Sequence, residues 1–543
     1  MTEPTDKSIS LTEALSAWKT ALAPERVCVD HGALEKISRT TLIRSTHPVC
    51  ILYPRSTAEV QAVVKIANEF NIPLYPISRG KNWGYGDACA PEDGMAIVDL
   101  SQMDRIVEVN EELAYAVVEP GVSQKQLYDF LQQKNLKLWM DCTGAGREAS
   151  LVGNTLDRGF GHTRYGDHFA TTCGMEIVLP DSTVVRTGFC HYKKAHAARL
   201  YRYGVGPALD GLFCQANLGI VTQIGLWLMP APEAFCCFAI AVDQYEGLSL
   251  LVDRLRPLRM SGILNSALHI ANDLRVLSSR FHYPWEETGG MTPLPESIRR
   301  KMRKAAGIGA WTTAGAFTGS RAHVRASCHA LKKALRGIGR LRFIDDRLLN
   351  LGKRVVTFLN WFGVGATLRG QLESLEPVYQ LLKGIPNDEA LHGAQWRLRR
   401  PPPHPPRDPL DYGCGLLWIS PVIPMTGSHA LAVSRLVEPI FAEYRFEPLI
   451  TFTMINERSM IGILNVAFDR TDTEECERAV ACYHKLMKTL MDEGYPPYRV
   501  SLEGMADIYQ GSESYWEVAQ RIKRALDPNE ILAPGRYIPR FNK

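Results

Sequence analysis

Leu74-Tyr75-Pro76-Ile77-Ser78-Arg79-Gly80-Lys81-Asn82-Trp83-Gly84-Tyr85-Gly86 changes character at its middle. Leu74 to Ile77 is an apolar, strand-like run. It empties into Ser78-Arg79-Gly80-Lys81-Asn82, and Gly84 and Gly86 then bracket Tyr85. Small residues let a backbone approach a ligand closely and adopt positive φ. Successive backbone N–H groups in such a turn form a nest for an anion, and Arg79 and Lys81 add positive charge. The pattern is neither a Walker loop nor a G-x-G-x-x-G opening a helix. Two readings stand side by side: a diphosphate cradle, and a tight surface turn between strands.

Outward from this loop, strands and helices mix. Cys50-Ile51-Leu52-Tyr53 predicts a buried strand. Ser56-Thr57-Ala58-Glu59 is a capping box, and Val60, Val63, Val64 and Ala67 follow at helical spacing until Pro73 stops the helix. Ala96 to Leu100 and Tyr115 to Val118 predict further strands. Glu119-Pro120-Gly121-Val122 then turns into a helix from Gln124 to Asn135. The order is α/β or α+β, without the regular alternation of a doubly wound sheet. Gly153-Asn154-Thr155-Leu156-Asp157-Arg158-Gly159-Phe160-Gly161-His162, continued by Thr163-Arg164-Tyr165-Gly166-Asp167-His168, is too glycine-rich for regular structure. It reads as backbone laid against a flat or charged ligand, or as a long surface loop. Glu176 to Val185 predicts a hairpin, and Asn217-Leu218-Gly219-Ile220-Val221 opens a strand to Leu228.

Met229-Pro230-Ala231-Pro232 marks a junction, beyond which the texture changes. Helices are predicted over Leu248 to Arg256, Ile298 to Ala306, Ala322 to Leu335, Glu474 to Asp492 and Glu513 to Leu526. Strands are predicted near 416–420, 449–453 and 461–468. Arg325, Lys332, Lys333 and Arg336 read as a solvated face. Arg399 to Arg407 reads as a proline-rich exposed connector. A chain of 543 residues implies two or more domains. The 62 basic and 58 acidic residues leave a net charge of +4, which gives no footprint for nucleic acid or an acidic membrane surface. Thirteen cysteines scattered without a C-x-x-C point to a reduced, cytoplasmic compartment. Met1 to Ser10 shows no signal peptide, and no apolar run approaches the ~20 residues of a membrane span. His404 alone makes no metal site, and no metal is expected.

Taken together, these stretches resemble the vanillyl-alcohol oxidase/4-cresol dehydrogenase family of FAD enzymes. The matching pieces are residues 77–86, Val118-Glu119-Pro120-Gly121, residues 152–168, Cys173-Gly174-Met175-Glu176, Gly219-Ile220-Val221-Thr222, Leu228-Met229-Pro230, Leu255-Arg256-Pro257-Leu258-Arg259, Tyr498-Arg499 and Ala533-Pro534-Gly535-Arg536. They run in family order from about residue 40 to the end, and the cap stretch is closest to the cresol enzymes. The resemblance implies a two-domain α+β fold. An FAD-binding domain would comprise 1–235 completed by 497–543, and a cap domain on an antiparallel sheet would comprise 236–496. It implies that Ser78, Arg79, Gly80, Lys81, Asn82, Pro120 and Gly121 hold FAD. Gly153, Asn154, Asp157, Gly161, His162, Tyr165, Gly166 and His168 would join them, with Gly219, Ile220, Val221 and Arg536.

By the same resemblance Tyr85, Tyr498 and Arg499 bind a phenolate, and Arg536 stabilises the reduced flavin ring. Two Tyr hydroxyls and a guanidinium would lower the phenol pKa by charge-assisted hydrogen bonding. Hydride loss from the benzylic carbon then leaves a p-quinone methide, to which water adds to give an alcohol and, after a second oxidation, an aldehyde. Taken singly, each Tyr is equally a core aromatic with a satisfied hydroxyl, and Arg499 a surface ion pair. The sequence also departs from the family. Oxidases attach FAD through a His-His pair after Arg-x-Met, but Arg458-Ser459-Met460 precedes Ile461-Gly462. Cresol enzymes use a Tyr two residues before Trp-Arg, but Ala394-Gln395 precedes Trp396-Arg397. Non-covalent FAD is therefore expected, with His392 as a substitute anchor. The acid that oxidases hold near the flavin aligns with Gly144, and Glu148 replaces it only if its loop folds inward. Acids of the cresol cap align near Phe452 and Ala390, beside Glu389.

Three functions follow from these readings. One is a para-alkylphenol oxidoreductase using oxygen or a partner c-type cytochrome. Another is a biosynthetic FAD oxidase acting on a larger phenolic product. The last is a flavin-binding pseudoenzyme or subunit. Family relatives also imply a homo-oligomer.

Overall fold

Three large sheets and a two-stranded one, Leu138–Trp139 with Met229–Pro230, organise this computed structural model, which describes residues 6–361, 375–400, 408–511 and 513–540. Residues 401–407 of the proline-rich segment lie outside the described residues. The first sheet has the order Val27–Cys28, Cys50–Leu52, Ala96–Asp99, Leu74–Ile77, and its last three strands are parallel. The helix Thr57–Phe70 makes the crossover. Ser56 caps it by accepting from the Glu59 N–H, and Val60, Val63, Val64 and Ala67 are wholly buried on its inner face. The C-terminal segment returns to this sheet. The Leu74 N–H donates to Ile531 O at 2.7 Å, and the Ala533 N–H donates to Leu74 O at 2.8 Å.

The second sheet is antiparallel, in the order Ile106–Asn110, Tyr115–Val118, Ile220–Trp227, Thr172–Val178, Val184–Arg186. The third is also antiparallel and larger. Its path runs Arg340–Ile344, Ala234–Val242, Trp311–Gly319, Leu268–Asn272, Leu449–Met454, Ser459–Asp469, Cys414–Ile419, with Val422–Pro424 added against Ser459–Asp469. One face of this sheet packs Phe238, Ile240, Leu268, Ile270, Trp311 and Phe452 against the helices Gly247–Met260, Arg321–Ala334, Gly427–Glu443 and Thr473–Asp492. The architecture is α+β in two domains, the antiparallel third sheet with its helices lying over the first two sheets. Arg325, Lys332, Lys333 and Arg336 are exposed, as a solvated face requires.

Several elements differ from the sequence expectation. The helix expected to reach Asn135 is Gln124–Gln133, because Asn135 turns into the left-handed region at φ +58. The stretch after Gly153 is not wholly irregular, since the short helix Leu151–Leu156 covers its start, capped by Ser150. The helix expected to end at Arg256 continues through Pro257 to Met260. The helix Asp346–Trp361 was not expected at all.

Candidate active site

Strand alternation makes one wall of a cavity of about 1130 Å3. Ile240, Ile270 and Phe452 point into the core, so their neighbours point the other way. Two cross-strand rows result: Arg342, Ala239, Ala314, His269, Thr453; and Arg340, Ala241, Thr312, Ala271, Thr451. Alanine and threonine fill little space, so each row stays open below the sheet. Phe452, near which a family acid aligns, faces away from this cavity and packs on Trp311.

The opposite wall carries the loop after Leu74–Ile77. Gly84 sits at φ +74, and a Cβ there would lie 2.2 Å from the Trp418 ring. Its N–H donates to Thr41 Oγ1 at 2.7 Å. This tight turn aims Tyr85 into the cavity, where its hydroxyl lies 2.8 Å from Ser420 Oγ. Ser420 follows the strand Cys414–Ile419, and its carbonyl accepts from the Tyr498 N–H at 3.1 Å. The Arg499 guanidinium lies 3.9 Å from the Tyr85 ring centre. It donates to Asn82 Oδ1 and to Asp157 Oδ2. Asp157 also accepts from Asn82 Nδ2 at 2.9 Å and from the Tyr537 hydroxyl at 2.6 Å, and Arg536 stands 3.9 Å away.

Burial raises the pKa of Tyr85, against the pull of Arg499, and raises that of Tyr498 too. Burial would likewise neutralise Asp157, but Arg499 and then Arg536 hold it below the usual carboxylate range. Burial opposes the Arg499 charge, yet Asp157 and the tyrosines outweigh it and keep the group ionised. Two guanidinium groups therefore share one carboxylate. The surplus is one positive charge beside two protonated tyrosine hydroxyls, a setting for a bound phenolate.

The structure brings Ser78, Arg79, Gly80, Lys81, Asn82 and Tyr85 to the cavity wall. Gly153, Asn154, Asp157, His162, Gly219, Ile220, Val221, Tyr498, Arg499 and Arg536 join them. It leaves Pro120, Gly121, Gly161, Tyr165, Gly166 and His168 off that wall. Gly121 packs on the Ser101 carbonyl, and the Pro120 carbonyl accepts from Ser150. His168 is bound on one side to Asn154 and on the other to Asp141, both at 2.6 Å. A Cβ on Gly161 would overlap Asp141 Oδ2 at 1.6 Å, and one on Gly166 would touch Ala267. Tyr165 lies under Arg164, whose guanidinium is 5.0 Å from its ring centre. These residues build the wall from behind. Arg79 and Lys81 are also not free charges. Arg79 pairs with Glu148 at 2.7 Å, and Lys81 pairs with Asp408. Any anion in the cradle rests mainly on backbone N–H groups.

Among the described residues, neither Glu148 nor Gly144 supplies the acid that oxidases hold near the flavin. Glu148 is turned outward to Arg79, and a Cβ on Gly144 would meet Ala390 at 3.3 Å. Trp396-Arg397 serves packing: Arg397 is bound to Glu475 at 2.9 Å and to Glu447 at 3.1 Å, and the Trp396 indole donates to Glu447 at 3.2 Å. His392 lines the cavity, 3.5 Å from Glu389. Sequence reasoning missed Ser420, Tyr537 and His269. His269 lies against His162 with ring centres 4.4 Å apart and the rings tilted by 39°, and hydrogen-bonds Thr453 Oγ1 at 3.0 Å. Tyr537 adjoins Ala533-Pro534-Gly535-Arg536, but Ser420 and His269 stand in no glycine-rich or charged motif, so only alternation along strand Leu268–Asn272 could have pointed to His269. Among the described residues no group of three or more His, Cys, Asp or Glu side chains could hold a metal. No helix among them is long and apolar enough to cross a membrane.

The cradle fits FAD. A Cβ on Gly153 would come 3.0 Å from Ser78 Oγ and one on Gly80 would come 2.9 Å from Ala88, so only glycine lets loop and helix close up here, and both glycines line the cavity. The volume exceeds the roughly 300–1,000 Å3 of an ordinary ligand pocket, leaving room for an elongated cofactor and a second molecule. Residues 48–188 match the FAD binding domain family, and residues 460–537 match the C-terminal domain of FAD linked oxidases. The chain is 36% identical to the 1'-carboxy-chondrochloren decarboxylase of Chondromyces crocatus over 97% of each chain. It is 33% identical to the 4-cresol dehydrogenase [hydroxylating] flavoprotein subunit of Pseudomonas putida, over 96% of this chain and 95% of that one. The crystal structure of p-cresol methylhydroxylase with substrate bound superposes with a TM-score of 0.87 at 31% identity, covering 98% of both chains. A fold, a cradle and near full-length relatives agree: the chain belongs to the vanillyl-alcohol oxidase/4-cresol dehydrogenase family of FAD-dependent oxidoreductases.

Proposed function

We propose that this protein removes a benzylic hydride from a para-substituted phenol through a p-quinone methide. The observation that carries the reading is the buried cluster of Tyr85, Tyr498 and Arg499, with its surplus positive charge from Arg536. Bound FAD supplies the hydride acceptor. Tyr85 and Tyr498 donate hydrogen bonds to the phenolate oxygen, and Ser420 fixes the position of both tyrosines. Arg499, oriented by Asn82 and Asp157, neutralises the phenolate and so lowers the pKa of the bound phenol. The phenolate pushes electron density toward the benzylic carbon, which is where the hydride leaves.

Anaerobic addition of 4-cresol, 4-ethylphenol and 4-propenylphenol to the FAD-loaded protein tests this. Bleaching of the oxidised flavin band is the expected result. A band that persists with every phenol overturns the reading for small alkylphenols and leaves a larger phenolic substrate or a flavin-binding subunit. Admitting air after bleaching separates oxygen from a protein acceptor such as a c-type cytochrome.

A second reading is favoured by the open alanine and threonine rows, the absence of an acid at Gly144 and the name of one relative. Here the substrate is a larger phenol whose para substituent carries a carboxylate beside the benzylic carbon. After hydride loss and phenol deprotonation, the bond to the carboxylate breaks. Its electron pair forms an alkene as the ring rearomatises, and CO2 leaves. No acid is needed to activate water in that sequence.

A further inference from the structure

Arg275 and Arg280 line the cap side of the cavity, and no acid among the described residues pairs with either. Three other buried arginines have close partners. Arg397 has Glu447 and Glu475, Arg499 has Asp157, and Arg259 donates to the carbonyls of Leu264, Ser266, Ile455 and Asn456. Among the described residues Arg275 donates one side-chain hydrogen bond, a long one of 3.4 Å to Ser278 Oγ. Burial alone lowers its pKa, and burial pushes Arg280 down to about 10. A guanidinium has five N–H donors, and a charged group left without a partner in a cavity is costly. Two acids of the cavity wall are engaged elsewhere: Asp157 with Arg499, and Glu389 beside His392.

The position of Arg275 relative to the phenol cluster is also defined. Tyr498 lies 5.9 Å from Phe160, and Phe160 lies 6.2 Å from His269, measured between ring centres. Arg275 is close enough for its charge to disfavour protonation of His269. It follows directly on the strand that carries His269 and Ala271. Its Nη1 lies where a Cβ on Gly393 would come within 2.7 Å, so the guanidinium rests across bare backbone.

We propose that Arg275 binds a carboxylate on the para substituent of the phenolic substrate, with Arg280 adding to the positive field. Arg suits this task because its planar fork pairs a carboxylate through two parallel hydrogen bonds. The inference rests on the phenol reading above. It makes the substrate an anionic, extended phenol rather than a simple alkylphenol.

Isothermal titration of the FAD-loaded protein, reduced beforehand so that nothing turns over, tests it. The probes are 4-propylphenol, 3-(4-hydroxyphenyl)propanoate, 4-(4-hydroxyphenyl)butanoate and the primary amide of each acid. At least one acid should bind tenfold or more tightly than its amide. Arg275→Met should abolish that preference while leaving the amides and 4-propylphenol unchanged, and Arg275→Lys should restore part of it. Gly393→Ala, which displaces the guanidinium without removing its charge, should weaken acid binding selectively. Neutral phenols that bind with no preference for any acid overturn this proposal alone. Binding of none of the probes overturns the phenol reading and this proposal with it.

Discussion

Arg499 faces the Tyr85 ring at 3.9 Å because Asp157 and Asn82 hold its other side. The charge is therefore positioned before any substrate arrives, which is the condition under which electrostatic stabilisation costs no reorganisation. Tyr498→Phe removes one of the proposed donors to the phenolate and is expected to leave the fold in place. Anaerobic stopped-flow reduction by 4-ethylphenol should slow by about 10²-fold, with FAD binding unchanged. An unchanged reduction rate would take Tyr498 out of the chemistry. His269 is the other residue whose protonation state the fold dictates. Burial, and then the neighbouring His162, lowers it from 6.5 to about 3. Between those values the unfolded chain binds a proton that the folded chain does not. Stability attached to His269 is thus fully present above about pH 6.5 and is lost as pH falls toward 3. Thermal midpoints measured across that window should fall less steeply for His269→Gln than for the native chain. Parallel curves would mean that His269 is hydrated in the folded state.

The short helical segment Glu389–Gln395 closes one side of the cavity, and its anchor lies just beyond it. Trp396 and Arg397 are wholly buried, and Arg397 satisfies two carboxylates that are equally buried. The same Glu447 accepts the Leu294 N–H at 2.9 Å, so the cluster ties three separate parts of the cap together. Removing one member of such a set leaves charges unpaired in a low dielectric, which costs about 3–5 kcal/mol. Arg397→Met should lower unfolding free energy by that amount in urea titration, and should loosen ligand binding because the segment loses its tether. A loss below about 1 kcal/mol would mean that Glu447 and Glu475 take up protons and relax. The same residues show how an element can mislead at the sequence level. A Trp-Arg pair reads as part of a cofactor-attachment motif, whereas its side chains are spent on Glu447 and Glu475.

Across the whole molecule, local signals were legible and distant pairings were not. The capping box at Ser56, the apolar spacing from Val60 to Ala67 and the glycines around Tyr85 each declare their conformation within a few residues, and the structure follows them. The charge network of the candidate site has no such local trace. Asp157 meets Arg499 across 342 positions of sequence and Tyr537 across 380, so nothing near Asp157 reveals that it is a counter-ion. Arg275 is hidden for the same reason, since its lack of an acid partner among the described residues shows only in the folded chain. Flavin attachment is the property on which local and global readings now converge. The Arg458–Met460 stretch runs into the strand Ser459–Asp469, paired on both sides. Ala394, at the place of the cresol enzymes' anchoring tyrosine, reaches the cavity wall with no nucleophile. We therefore expect FAD to be held without a covalent bond. Precipitation of the loaded protein with acid should leave a colourless pellet and a yellow supernatant. Added back at 100 times its dissociation constant, FAD should stabilise the apoprotein by about 2.7 kcal/mol through mass action alone, seen as a rise in thermal midpoint. A yellow pellet would overturn this expectation. Peptide mapping would then identify the attachment, with His392 the first residue to inspect because it alone was singled out as a substitute anchor and does line the cavity.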